Sequence, residues 1–138
     1  MNLETRIQHL KHWEIYFKNQ GWSGNELLDF LEIIDDLIRY GIEINHQGEA
    51  GLFHATSESN AKQILEEQAM FGLEDGLFFS TSPYGEIEGY GASVLKAWIP
   101  IPTLELNDDF RTEKHYRVPV RPYKKYPFLI EEYVKKEN

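Results

Sequence analysis

The hydrophobic period of this chain changes once, and that change constrains the fold more than any other feature of the sequence. Up to residue 41, apolar residues recur every three or four positions, which is typical of amphipathic helices. From residue 51 onwards, most apolar runs are short and strand-like, and prolines separate many of them. A chain with helices first and strands afterwards is predicted to belong to the α+β class, with a largely antiparallel sheet.

Residues 1–41 are predicted to form a helical hairpin. The first helix covers residues 3–19, and a capping box of Ser23 and Glu26 precedes the second helix, which Gly41 ends. The apolar stripe of the second helix is too wide for a free surface helix, so we expect it to pack on the sheet. The hairpin is either scaffold or an appendage that binds a partner.

The remaining residues predict a small sheet within a single domain, residues 1–138. A helix is expected at residues 58–68, and a short one is expected to begin at Ser82 and Pro83. The expected core covers residues 52–134. Its predicted strands are residues 52–54, 77–80, 94–99 and 128–134, with weaker ones at 103–106 and 116–120.

Composition excludes several kinds of chemistry. The chain has no cysteine, which excludes disulfides, thiolate zinc sites and a cysteine nucleophile. His9 and His12 are one helical turn apart, but no further ligand completes a set, so no metal site is expected. The first residues have no uninterrupted apolar run, and nowhere do about 18 apolar residues follow one another. We therefore expect a cytoplasmic protein that spans no membrane.

The formal net charge is −9, which argues against non-specific binding to nucleic acid. Residues 111–125 are an exception, because six of their side chains are basic and only Glu113 is acidic. We call residues 111–125 the cationic segment. It is either a solvated loop or a contact surface for a partner.

The segment GLFHAT, residues 51–56, is an apolar strand that ends in polar side chains. His54 and Thr56 are two positions apart, so both side chains are expected on the same side of the strand. They can hydrogen-bond a ribose diol while the backbone of Ala55 meets a carboxamide. The alternative is a half-buried histidine beside a threonine that caps the following helix.

The segment GLFFSTSP repeats this arrangement of strand and polar turn. Phe78 and Phe79 are expected on opposite faces of the strand, one in the core and one beside a cleft. Ser80 and Ser82 bring hydroxyls to the strand end, and Tyr90 follows shortly afterwards. An exposed tyrosine over a cleft can stack on a planar ring. The alternative is a hydroxyl-rich turn next to a core tyrosine.

The last predicted strand, residues 128–134, contains two adjacent carboxylates. Its apolar residues are typical of a central strand, yet Glu131 and Glu132 interrupt it. Because side chains alternate, one glutamate faces each side, and one of them is expected on the less solvated surface. A carboxylate there is either used chemically or, if the strand lies at an edge, partly hydrated.

These pieces, in this order, resemble the ADP-ribosyltransferase superfamily, and more closely its His-Tyr-Glu branch, to which poly(ADP-ribose) polymerases belong. That branch has a His-Gly-Ser/Thr strand, a helix with a glycine loop and a Gly-Ile/Leu-Tyr-Phe-Ala/Ser strand. A later Tyr and a final strand with a catalytic Glu follow. The similar pieces here are HAT (54–56), AKQILEEQAMFG (61–72), GLFFS (76–80), EGYG (88–91) and IEEY (130–133). The resemblance covers about residues 52–134 and implies an ADP-ribosyltransferase-like split sheet.

The resemblance implies an NAD-dependent ADP-ribosyltransferase that releases nicotinamide and uses no metal. The small size of the chain favours a mono-ADP-ribosyltransferase, because little chain remains to build an acceptor site for a growing polymer. It implies catalytic roles for His54, Tyr90 and Glu132, with Glu131 as an alternative to Glu132. A fixed carboxylate would stabilise the oxocarbenium-like transition state more than the ground state. The implied NAD-binding residues are His54, Ala55 and Thr56 at the ribose and carboxamide, and Phe78, Ser80, Ser82 and Tyr90 around the nicotinamide.

The implied acceptor of ADP-ribose is a macromolecule, and the acidity of the chain favours protein over nucleic acid. The cationic segment would meet an acidic target, a nucleic acid or the pyrophosphate of NAD. Two alternatives stay open. One is an RNA 2′-phosphotransferase-like enzyme on the same fold, which needs basic residues in its cleft. The other is a non-catalytic acidic protein that binds and blocks a basic partner, as toxin-neutralising and phage-encoded inhibitors do.

Overall fold

The structure, a computed structural model, describes residues 24–72, 76–119 and 124–134. Within these ranges it has two α-helices, eight strands and two short 3-10 helices. The helices are α1 (Gly24–Arg39) and α2 (Glu58–Glu67), and the 3-10 helices are Gly85–Tyr90 and Ile101–Thr103. The strands are β1 (Glu49–Thr56), β2 (Ala69–Phe71), β3 (Leu77–Ser80), β4 (Ser93–Pro100), β5 (Glu105–Asp109), β6 (Lys114–Val118), β7 (Lys125–Pro127) and β8 (Leu129–Glu132).

Six of these strands form one sheet in the order β5-β6-β3-β1-β4-β8, and every neighbouring pair is antiparallel. Strands β2 and β7 form a separate antiparallel pair. The α+β class with a largely antiparallel sheet, predicted from the change of hydrophobic period, is therefore confirmed.

No helix in the described part of the chain combines the length and the apolar character that crossing a membrane requires.

The two faces of the six-stranded sheet have different coverings. We call one the helix face, because its residues, such as Leu52 and Phe79, share a core with α1 and α2. The other, which we call the opposite face, has a smaller cluster that includes Ala55 and Ile87 of the first 3-10 helix. Side chains alternate along each strand, so neighbouring residues of one strand lie on different faces.

The second predicted helix is confirmed as α1. Its buried residues Phe30, Ile34 and Leu37 follow one another at three- and four-residue spacing and pack into the main core. Gly41 follows the helix with φ 72°, in the left-handed region that favours glycine. The first predicted helix and Ser23 of the predicted capping box lie outside the described residues.

The helix predicted at residues 58–68 is confirmed as α2, which ends one residue earlier. Ser57 caps it, because its Oγ accepts a hydrogen bond from the backbone N–H of Asn60 at 3.2 Å. Gln68 follows in the left-handed conformation with φ 51°, and its N–H donates to the carbonyl of Ile64 at 2.8 Å. The chain turns there and continues directly into β2.

The last strand lies at the edge of the sheet, so its interpretation as a central strand is wrong and the alternative of an edge strand is confirmed. On one side β8 pairs with β4. On the other side, Gln68 Nε2 donates to the carbonyl of Ile130 at 2.9 Å, and Gln68 Oε1 accepts from the N–H of Ile130 at 2.9 Å. Glu131 and Glu132 are both exposed. An edge strand keeps side chains close to water, so two adjacent carboxylates can lie there without partners in the core.

The side chain of Gln68 is expected to stabilise this edge. Replacing Gln68 by alanine should lower the free energy of unfolding by about 1–3 kcal/mol, because two backbone groups of Ile130 lose their hydrogen-bond partner. Urea denaturation followed by circular dichroism measures the change. Gln63→Ala is the control, because Gln63 is exposed and its Nε2 donates to Glu67 at 3.1 Å. Equal losses in both variants would contradict the role of Gln68.

Candidate functional site

Five of the predicted site residues line three different cavities. His54 and Thr56 line a cavity of about 270 Å³, and Glu132 lines another of about 550 Å³. Phe78 and Tyr90 line a third, of about 420 Å³, which we call the Tyr90 pocket. The structure therefore does not bring His54, Tyr90 and Glu132 together in one cleft.

His54 and Thr56 lie on the helix face, on the same side of β1 as predicted. The carbonyl of Phe78 only accepts, so His54 Nδ1 carries a proton and donates to it at 2.9 Å. Burial lowers the pKa of His54, and this hydrogen bond opposes the shift only in part, so the ring is neutral at neutral pH. Thr56 Oγ1 accepts from Asn60 Nδ2 at 3.3 Å. Ala55, between them, is buried on the opposite face.

Glu132 shares the helix face with His54 but is separated from it. Leu95 of β4 is the register partner of both residues, so Glu132 lies two strands away from His54. Neighbouring strands are about 4.8 Å apart, which puts their Cα atoms roughly 10 Å from each other. The two cavities also use different residues of α2, since Lys62 lines that of Glu132 and Gln63 that of His54.

The Tyr90 pocket lies on the opposite face, where β3 and β6 meet the first 3-10 helix. That 3-10 helix replaces the short helix expected from Ser82, and Tyr90 is its last residue, with 69 % of its surface exposed. Ser82 forms the preceding turn, and its N–H donates to Ser80 Oγ at 3.0 Å. The pocket is lined by Phe78, Tyr90, Asn107, His115 and Arg117.

Sequence reasoning missed a buried carboxylate directly behind this pocket. Glu113 is 2 % exposed, and its Oε2 accepts hydrogen bonds from Ser80 Oγ and His115 Nε2, each at 2.8 Å. Its Oε1 accepts from the N–H of Glu86 at 3.0 Å. Burial raises the pKa of Glu113, but the three hydrogen bonds outweigh it and hold the pKa below the ordinary value. Glu113 is therefore an anion at neutral pH.

The buried anion fixes the orientation of His115. An ionised carboxylate only accepts hydrogen bonds, so His115 carries a proton on Nε2. The imidazole also packs edge-on against Phe110, with ring centroids 4.8 Å apart. Beside it, Arg117 donates from Nη2 to Glu105 at 2.7 Å, which leaves other guanidinium N–H groups for a ligand.

The cationic segment is not a uniformly basic surface. Lys114 donates to Asp36 Oδ2 at 2.7 Å, and this hydrogen bond raises the pKa of Lys114. Lys125 lies 2.8 Å from a glutamate carboxylate of α2. Arg121 lies outside the described residues. Two basic side chains in the described part of the segment, Lys114 and Lys125, are therefore paired with carboxylates of the fold.

The Tyr90 pocket combines groups that suit a nucleotide. Two aromatic rings can stack on a planar base, and a guanidinium can bind a phosphate through paired hydrogen bonds. The buried anion behind them can stabilise a positive charge in the pocket. Within the described ranges, no cluster of three or more His, Asp or Glu side chains could hold a metal ion.

Comparisons of the chain with protein-family models, curated proteins and solved structures give no match. No relative therefore assigns a ligand to the pocket or a role to a residue.

Proposed function

We propose that this chain is an NAD-dependent mono-ADP-ribosyltransferase with an ADP-ribosyltransferase-like fold, and that NAD binds in the Tyr90 pocket. One observation carries the proposal. Phe78 and Tyr90, which the resemblance assigns to the nicotinamide end of NAD, line one pocket with His115, and His115 shares the buried carboxylate of Glu113 with Ser80. Their grouping supports NAD more strongly than any single motif does.

In this proposal Phe78 and Tyr90 hold the nicotinamide ring, and Arg117 pairs with the pyrophosphate. Glu113 takes the place that the resemblance gives to Glu132. When the glycosidic bond breaks, positive charge develops on the ribose, and a preorganised anion nearby stabilises it. Both Glu113 oxygens already accept hydrogen bonds, so Glu113 acts through its field and through His115.

His54 has a positioning role in this proposal. It lies on the other face of the sheet and donates to the carbonyl of Phe78 at 2.9 Å. That hydrogen bond fixes the backbone of β3 at the residue whose ring lines the pocket. His54→Ala should therefore weaken NAD binding indirectly, without removing a group that touches NAD.

The test measures transfer from labelled NAD into a bacterial lysate separated into protein and nucleic-acid fractions. Tyr90→Ala should reduce this transfer when NAD is below saturation, because the substitution should raise the Kd for NAD about 5- to 150-fold. Stacking on an aromatic side chain contributes about 1–3 kcal/mol. The Tyr90 side chain is largely exposed, so the variant should fold. Glu132→Gln is the matched control and should transfer label like the wild type.

Two outcomes would overturn parts of this proposal. If Glu132→Gln lost transfer while Tyr90→Ala kept it, the reaction would not take place in the Tyr90 pocket. If the wild type transferred no label and NAD did not raise its melting temperature, the chain would not be an NAD enzyme. The non-catalytic acidic binding protein would then be the better interpretation.

An RNA 2′-phosphotransferase-like activity is the second candidate, and a specific observation favours it. This reaction needs basic residues in the cleft, and Arg117 and His115 both line the Tyr90 pocket. An oligoribonucleotide with one internal 2′-phosphate, incubated with NAD, tests it. Loss of the 2′-phosphate without labelling of protein would favour this candidate, and Arg117→Ala should reduce that loss.

A further inference from the structure

A further, strongly acidic cavity lies on the helix face, between α1 and strands β5 and β6. We call it the acidic groove, and its volume is about 380 Å³. Its walls combine apolar and charged side chains. The apolar ones are Ile33, Leu104 and Leu106, and the charged ones are Asp29, Glu32, Asp36, Glu105, Asp109 and Lys114.

The negative charge of the acidic groove is only partly balanced. Lys114 pairs with Asp36 at 2.7 Å, and Arg117 pairs with Glu105 at 2.7 Å. Among the described residues, five carboxylates against these two cations leave a net charge of −3. Asp29 and Glu32 are exposed, and neither forms an ion pair with another described residue. The groove therefore favours a cationic ligand.

A buried polar group at the acidic groove lacks a partner. Tyr116 lines the groove and is fully buried, yet its hydroxyl has no hydrogen-bond partner among the described residues. Burial, and then the negative charge of Asp36, raise the pKa of this hydroxyl, so it stays protonated. A buried hydroxyl without a partner is unfavourable, and a ligand N–H that donates to its oxygen would remove part of that penalty.

We infer that the acidic groove binds a lysine or arginine side chain of a basic protein segment. The cationic head would lie near Asp29, Glu32 and Tyr116, and its alkyl stem would lie against Ile33 and Leu106. Lysine and arginine have both parts, an apolar stem and a charged head, which matches the mixed lining. A free polyamine carries the same ammonium chemistry, and the experiment separates the two sources.

This inference does not depend on NAD binding, because the acidic groove and the Tyr90 pocket lie on different faces of the sheet. The two sites share strand β5 as a wall. Asn107 lines the Tyr90 pocket, whereas Leu106 and Asp109 line the groove. A protein segment bound in the groove would therefore lie beside the pocket without filling it.

Fluorescence polarisation with a labelled octapeptide of alternating lysine and alanine tests the acidic groove. The double variant Asp29→Asn/Glu32→Gln should raise the Kd about threefold or more at 150 mM salt, since each exposed charge contributes modestly. The control Glu131→Gln/Glu132→Gln removes the same charge from the exposed edge strand β8 and should change the Kd much less. Equal effects would show non-specific attraction and overturn the inference, as would failure of the wild type to bind.

Tyr116→Phe separates a role in binding from a role in folding. Removing a hydroxyl without a partner should not lower the melting temperature, whereas the Kd for the peptide should rise about two- to tenfold. An unchanged Kd would contradict the contact with Tyr116. Spermine is the second probe. Binding of spermine that depends on Asp29 and Glu32, with no binding of the peptide, would assign the groove to free polyamines and overturn the protein partner.

Discussion

Replacing Glu113 by alanine is expected to lower the free energy of unfolding by about 3–5 kcal/mol. The substitution leaves three donors without an acceptor, of which Ser80 Oγ and His115 Nε2 are buried and the N–H of Glu86 is partly buried. Each unsatisfied buried donor is unfavourable by about 1–3 kcal/mol, and loss of one partner of a buried charged pair has a similar total effect. Urea denaturation at pH 7 measures the loss.

Glu113→Gln shows how much of this stabilisation depends on ionisation. The folded-state pKa of Glu113 lies below its ordinary value of 4.5, so its carboxylate stabilises the fold above that value. The stabilisation is lost as the pH falls through the ordinary value to the folded-state pKa. The wild type should therefore be more stable than Glu113→Gln at pH 7, and the difference should shrink below about pH 4.5.

The control for both Glu113 variants is Glu132→Gln, on the exposed edge strand. Its free energy of unfolding should stay within about 0.5 kcal/mol of the wild type at pH 7, as is usual for surface substitutions. If Glu113→Ala and Glu132→Gln had the same stability, Glu113 would not be the buried anion described above. A difference between wild type and Glu113→Gln that was equal at pH 7 and pH 3 would contradict the depressed pKa.

The strands that local patterning predicted most closely are those with a clear alternation or a long apolar run. β3 was predicted with its observed bounds, and the predictions for β1 and β4 fell within the observed strands. The missed strands β2 and β7 have three residues each, and Ala69 pairs with Pro127 far along the chain. Such short strands carry no period of their own, because distant pairing makes them strands.

The candidate site was predictable only where its residues are close in the sequence. Phe78 and Tyr90 belong to consecutive elements, and they do line one pocket. The position of Glu132 depended on strand order, which the sequence does not carry locally, and β8 lies at the sheet edge beside β4, three strands away from β3. The face that His54 occupies depended on register, since a slip of one residue exchanges the faces of a strand.

Glu113 was not predicted as a site residue, because its neighbours in the sequence do not show which groups surround its side chain in the fold. In the sequence it is a single acid in the cationic segment. In the fold, Lys114 donates a hydrogen bond to Asp36, which is 78 positions earlier in the sequence. Glu113 instead accepts a hydrogen bond from Ser80 Oγ. Its isolation among basic residues was the only sequence signal that could have marked it.

Replacing Gly91 by alanine is expected to lower the free energy of unfolding about as much as replacing Glu113 by alanine. Gly91 has φ 152°, and a Cβ there would overlap the carbonyl carbon and oxygen of Thr56 and lie 2.8 Å from its Cα. Those atoms belong to the end of β1, so they cannot move as a flexible side chain would. Gly91→Ala should lower the free energy of unfolding by about 3–5 kcal/mol, combining backbone strain with overpacking.

Gly89→Ala is the matched control, two residues earlier in the same turn. A Cβ at Gly89 would meet no atom within 4 Å, so stability should be unchanged or slightly higher. Urea denaturation of both variants separates the overlap at Thr56 from the general effect of adding a methyl group. Because Gly91 directly follows Tyr90, Gly91→Ala should also weaken the binding of any ligand that stacks on the Tyr90 ring. Equal free energies of unfolding in the two variants would contradict the packing of Gly91 against Thr56 at the end of β1. The position of Tyr90, the preceding residue, would then not be fixed by that contact.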